Sequence, residues 1–148
     1  MRLAIAFACL TMILLAPAWA QNTAACTPAA THGTYSVTCS GFLSPAAGAP
    51  QVPFSAIGTV TGDWGGKFTG TAKASLGGTM VDQTVSGTLV VSSDCTGSIS
   101  YDQKINGQPA PKLNIIAHTL DDGKEVRGMS VDPGANLICN LRLMSRQP

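Results

Sequence analysis

Apolar and polar residues alternate one for one along most of this chain, and the clearest run is residues 67–76. There Phe68, Gly70, Ala72, Ala74 and Leu76 fall on one side, and Lys67, Thr69, Thr71, Lys73 and Ser75 on the other. A repeat of two is that of a strand with one buried face, because successive side chains of a strand point to opposite sides. In residues 79–92, Val81, Val85, Leu89 and Val91 oppose Asp82, Thr84, Ser86 and Thr88, and Leu137, Cys139, Leu141 and Leu143 repeat the pattern near the C-terminus. Helical periodicity is nearly absent. The alternation predicts strands at residues 33–40, 53–62, 67–76, 79–92, 96–103, 111–120, 124–131 and 136–145.

Turn-forming residues separate these runs. Asp63-Trp64-Gly65-Gly66, Gly77-Gly78, Asn106-Gly107, Asp121-Asp122-Gly123 and Asp132-Pro133-Gly134 supply the glycine, asparagine or aspartate that a tight reversal needs. Short reversals make consecutive strands antiparallel neighbours, and only residues 44–52, rich in Ala and Pro, are long enough for an irregular loop. The expected fold is therefore all-β: a single up-and-down antiparallel barrel of about eight strands, whose closure removes the exposed edges of an open sheet. A β-sandwich is the alternative. The barrel domain spans residues 33–145, between an N-terminal segment at 21–32 and a tail at 146–148.

Residues 1–20 read as a signal peptide rather than as part of the fold. Arg2 supplies a positive charge, residues 3–15 are almost wholly apolar, and Ala18-Trp19-Ala20 is the small-x-small site cut by signal peptidase. An uncleaved membrane anchor would need an apolar run of roughly 20 residues, and Pro17 interrupts this one. No later stretch is apolar enough to span a membrane as a helix. The expected location is secreted or periplasmic, with the mature chain starting near Gln21.

Composition narrows the partners. Nine Lys and Arg, one of them Arg2, oppose eight Asp and Glu, so the chain beyond the leader is formally balanced. Without a basic cluster, nucleic acid and anionic membrane surfaces are not expected partners. Cys26, Cys39, Cys95 and Cys139 remain once Cys9 is removed with the leader, an even set that reads as two disulfides in an oxidising compartment. A zinc site competes for the same cysteines, but no Cys-x-x-Cys knuckle is present, so no metal is assigned.

The stretches GTYSVTCSGF, AIGTVTGDWGGKFTGTAKASLGG, VSGTLVVSSDCTGSISY and DDGKEVRGMSVDPG carry a family resemblance. Their succession of glycine-punctuated hairpins, with the Asp-Cys-Thr-Gly turn, is similar to that of small exported bacterial proteins of the allene-oxide-cyclase-like, calycin-type barrel group. The resemblance covers about residues 33–144 and implies a barrel. It carries no catalytic residue over to this chain, because these motifs specify fold rather than chemistry.

Candidate chemistry is sparse. His32 precedes the first strand and His118 falls on the polar face of the sixth, so both read as solvated, and neither has a partner suggested by spacing. There is no Gly-x-Ser-x-Gly, His-Glu-x-x-His or phosphate-cradling loop. Asp121, Asp122 and Asp132 are explained by their turns, and Glu125 with Arg127 reads as a solvated ion pair. No catalytic residue and no cofactor is assigned. Gly58, Gly70, Gly87 and Gly128 with Ala56, Ala72 and Ala74 make the inward face small, which either leaves a ligand cavity or marks kinks that let the sheet coil. Gln83 lies in register with Val81 and Val85; pointing inward, it needs a partner, for which backbone, Tyr35, Tyr101, water or a bound molecule all qualify.

Three functions fit these features. Gln83, Tyr35 and Tyr101 are the candidate binding residues of a lumen that takes a small apolar or amphipathic molecule. A scaffold that meets another surface through its Thr- and Ser-rich exterior needs no ligand. A cyclase or isomerase of the allene-oxide-cyclase-like type would template its substrate by shape. An integral outer-membrane barrel is disfavoured, since the outward face is read as Lys, Thr, Ser and Asp rather than as an apolar band.

Strand direction also predicts the disulfides. If the first strand runs upward, Cys39 lies at its top, and Cys139, near the start of the downward eighth strand, lies beside it across the closure. Cys26 and Cys95 both fall at the bottom. The expected bridges are Cys39 to Cys139 and Cys26 to Cys95; the competing pairing joins Cys26 to Cys39 and Cys95 to Cys139.

Overall fold

A computed structural model describes residues 26–46 and 48–146. The leader at 1–20, its cleavage site, the start of the N-terminal segment and the end of the tail lie outside the described residues. Eight strands follow one another: β1 (Gly33–Leu43), β2 (Val52–Gly62), β3 (Lys67–Leu76), β4 (Thr79–Val91), β5 (Thr96–Ile105), β6 (Gln108–Leu120), β7 (Glu125–Ser130) and β8 (Ala135–Ser145). Each pairs with the next and β8 returns to β1, so the sheet is a closed, antiparallel, up-and-down barrel. Every strand thus has two neighbours, which is what eight amphipathic strands joined by short turns achieve on closing.

Two boundaries differ by three residues: β1 runs on to Leu43, and β6 begins three residues earlier than the alternation places it, through Pro109 and Pro111. Proline lacks the N–H of a ladder bond and is tolerated at strand starts and bulges. The β5–β6 register accordingly shifts between Tyr101 and Gln103.

The two ends of the barrel differ. At one end lie the start of β1, the end of β8 and the turns β2–β3, β4–β5 and β6–β7, and over them folds a 3-10 turn, Pro28–Thr31. A disulfide from Cys26 to Cys95 ties this segment down, and a second, from Cys39 to Cys139, crosses the β1–β8 seam between residues directly opposite each other. Cys95 sits in the turn in the left-handed region, with φ +67°, while Asp94 Oδ1 accepts from the Thr96 amide and hydroxyl. Those Thr96 bonds, side chain first, hold the Asp94 carboxyl below its ordinary range. Arg146 adds a second tie, donating to the Ala30 carbonyl at 3.1 Å and the Asp122 carbonyl at 2.9 Å. Gly123 is required beneath this cap, since it has φ +81° and a Cβ there would come within 2.0 Å of the Ala30 oxygen.

His32 corrects an expectation. It is buried rather than solvated, stacked on Trp64 with ring centroids 3.5 Å apart, and its Nδ1 lies 2.6 Å from the Ala29 carbonyl. The cause is the 3-10 turn, which residues without periodicity did not announce. His118 is exposed.

The alternating faces sort as the two-residue repeat demands, with Leu43, Phe54, Ala74, Val81, Ile99, Leu113, Ile115, Val126, Leu137 and Cys139 forming the core. The uniformly polar exterior is a second correction. On β6, β7 and β8, Ile116, Met129 and Ile138 are directly paired neighbours and stand exposed as one outward row. Those strands carry apolar residues on both faces, unlike β3. Among the described residues, no helix is long and apolar enough to cross a membrane.

Candidate ligand site in the barrel lumen

The middle of the inward face of β2 and β3 is small, at Ala56, Gly58 and Ala72, whereas Ile99, Tyr101, Leu113, Ile115, Val126 and Leu137 project inward from β5 to β8. Between the two walls lies a cavity of about 100 Å³ that reaches from Phe54 and Gln83 to Thr31, Asp63 and Gly66 at the capped end. Kink and cavity coexist in the small wall. A Cβ on Gly58 would come 2.2 Å from the Thr71 oxygen of the next strand, so that glycine permits close approach of the strands, and its bare Cα also fronts the cavity. Ala56 and Ala72 line the cavity too, whereas Gly70 and Gly87 do not.

Polar groups are few and committed. Gln83 is 5% exposed and does point inward; its Nε2 donates to Gln103 Oε1 at 2.6 Å, and Gln103 Nε2 donates to the Pro111 carbonyl at 2.8 Å. The partner is therefore a second glutamine, diagonal to Gln83 across the β4–β5 ladder, and the bulged β6 supplies the terminal acceptor. Gln103 was legible as a continuation of the inward series Ile99, Tyr101, Gln103. The bulge that frees the Pro111 carbonyl for it was signalled only by two prolines.

Tyr35 and Tyr101 line the same cavity as Gln83. Neither bonds to it. The Tyr35 hydroxyl donates to the Gly123 carbonyl, and burial raises its pKa against an opposing pull from Arg146. Burial, with a smaller push from the Asp132 carboxylate, moves the Tyr101 pKa up to about 12. Both phenols therefore stay neutral. Thr31 spends its hydroxyl proton on the Pro28 carbonyl at 2.7 Å. Asp63 is the only charged residue of the lining among the described residues, and its Oδ1 accepts from the amides of Gly65 and Lys67 in its own turn at the rim.

The geometry can enclose, desolvate and orient a small molecule. Among the described residues, no nucleophile and base are brought together within it. Among the described residues, no group of three or more His, Cys, Asp or Glu is placed to hold a metal ion. In comparisons with known proteins the chain matches no family model, no curated protein and no solved structure.

Proposed function

We infer that the protein is an exported binding protein that holds a small, largely apolar molecule in its barrel. The observation that carries this reading is the cavity itself: an apolar space of about 100 Å³ into which one oriented amide, that of Gln83, is presented. Apolar enclosure with a few placed polar groups is the general form of a small-molecule site. Two disulfides fit an oxidising compartment, and with the leader they support export. The calycin-type resemblance agrees with a barrel used as a container, and among the described residues the one carboxylate of the lining, Asp63, is held by its own turn with no nucleophile paired to it.

One native mass spectrum of protein isolated from its own host tests both parts. The polypeptide mass should start at Gln21, and a non-covalent adduct of one small molecule should accompany it. Ala72→Leu, which fills the cavity, should remove the adduct. A native protein free of adduct at every stage of a mild purification would refute the binding reading, and a chain retaining residues 1–20 would refute export. A second reading, a surface-interaction scaffold, is favoured by the outward row Ile116, Met129 and Ile138.

A further inference from the structure

The hydrogen-bond chain in the lumen has a direction, and the direction constrains what can bind. The Pro111 carbonyl can only accept. Gln103 must therefore turn its nitrogen to Pro111 and its oxygen to Gln83, and Gln83 must answer with nitrogen. That order settles which way each amide faces without reference to the amides themselves. The edge of Gln83 left over carries Oε1, to which nothing among the described residues donates and which is not sealed from the cavity. Two other oxygens of the lining are in the same condition. Tyr35 gives its proton to the Gly123 carbonyl and Thr31 gives its own to the Pro28 carbonyl, so each can only accept from a guest. Tyr101 keeps its proton and can offer it to a guest oxygen, so a guest hydroxyl can both donate and accept here, whereas an ether can only accept.

Charge constrains the guest further. Among the described residues, no cationic side chain lines the cavity, and the one acidic residue is at the rim. An ion brought inside would lose its hydration without a counter-charge, which costs several kcal/mol. Asp63 would repel an anion at the rim besides. Size adds the last limit: a closed apolar cavity of about 150 Å³ holds one benzene, so a smaller cavity open at one rim takes about one ring.

Taking lumenal binding as given, we propose that the site selects small, neutral, mostly apolar molecules that carry a hydroxyl group, which donates to Gln83 Oε1. An aliphatic alcohol or a phenol has the required chemistry. An ether, a hydrocarbon or a carboxylate does not.

Titrating the mature disulfide-bonded protein with phenol, toluene, anisole and benzoate at pH 7 tests this, with binding followed by NMR shifts of the lumen methyl groups. Phenol and toluene differ by a hydroxyl against a methyl, and anisole keeps the oxygen while losing the donor. Phenol should bind at least about tenfold more tightly than toluene or anisole, the worth of one buried hydrogen bond, and benzoate should leave the methyl signals in place. Gln83→Leu and the longer, more isosteric Gln83→Met should each bring phenol down to the level of toluene. Equal binding of phenol, toluene and anisole would overturn donor selection while leaving lumenal binding intact. Preferential binding of benzoate would overturn neutrality. Binding of none of the four would bring down the lumenal reading and this inference with it.

Discussion

The wall built by β2, β3 and β4 and the wall built by β5 to β8 obey the same two-residue repeat, yet the middle of the first carries far less side-chain volume into the barrel. Ala56, Gly58 and Ala72 face inward from the first; Ile99, Leu113, Ile115, Val126 and Leu137 face inward from the second. Alternation decides which face is inside, whereas side-chain volume decides whether that inside is core or container. One sheet therefore does two jobs, and the boundary between them falls within a continuous hydrogen-bonded ladder.

Truncation should separate the walls most sharply. Leu137 is 1% exposed in the filled wall, and Leu137→Ala should lower stability by about 3 kcal/mol through lost burial and a cavity that cannot collapse. Val85 is half-buried against the existing cavity, and Val85→Ala should cost about 1 kcal/mol. Urea unfolding of both variants measures the contrast, and equal losses would mean that the two walls are packed alike.

Tyr101 stands where the walls meet, on β5 opposite Gly87, and its titration probes that junction. Its folded pKa of about 12 lies above the ordinary 10. Below pH 10 folded and unfolded chains both hold the proton and the contribution is complete. Between 10 and 12 the unfolded chain releases it first, so stability falls as pH rises, by on the order of 2–3 kcal/mol across the window. Lysines titrate in the same range, so the informative quantity is the difference from Tyr101→Phe, whose stability should decline less steeply. Parallel declines would show that the phenol is not desolvated at the junction.

The smallest effect is expected at Ala72, where volume is added beside the cavity. Ala117→Leu, in the filled wall, should cost about 1–3 kcal/mol by overpacking, while Ala72→Leu should change stability by less than about 1 kcal/mol, because the cavity receives it. Matched thermal denaturation of the pair checks this. A large loss for Ala72→Leu would mean that the space beside β3 is narrower than the structure gives.

The barrel was legible because its code is redundant. Residues 67–76 alone show the period, and each reversal carries its own glycine or aspartate, so an error at one strand does not propagate. Inward placement of Gln83 was legible for the same reason. Other features depend on contacts between distant segments. The cap over the end of the barrel rests on Pro28–Thr31 meeting Arg146 and Gly123, which no local pattern encodes. The outward row was hidden because Ile115-Ile116 and Leu137-Ile138 are apolar on both faces, and only the cross-strand register aligns Ile116, Met129 and Ile138. The glutamine chain needed a bulge to present the Pro111 carbonyl, and a bulge is a property of two strands rather than of one.

The two disulfides interleave along the chain. Cys26 pairs past Cys39 to reach Cys95, and Cys39 pairs past Cys95 to reach Cys139. A polypeptide that meets oxidant N-terminus first presents Cys26 and Cys39 as an available couple long before either native partner arrives. Oxidation in order of appearance would join neighbours, first with second and third with fourth, and the loop between the first two is short enough to close readily. The native pattern is reached only when oxidation waits for the last strand, or when early couples are undone by thiol–disulfide exchange. Connectivity thereby makes maturation of this small barrel depend on the timing of its oxidant or on an isomerase, a demand that a sequential pairing of the same four cysteines would not impose.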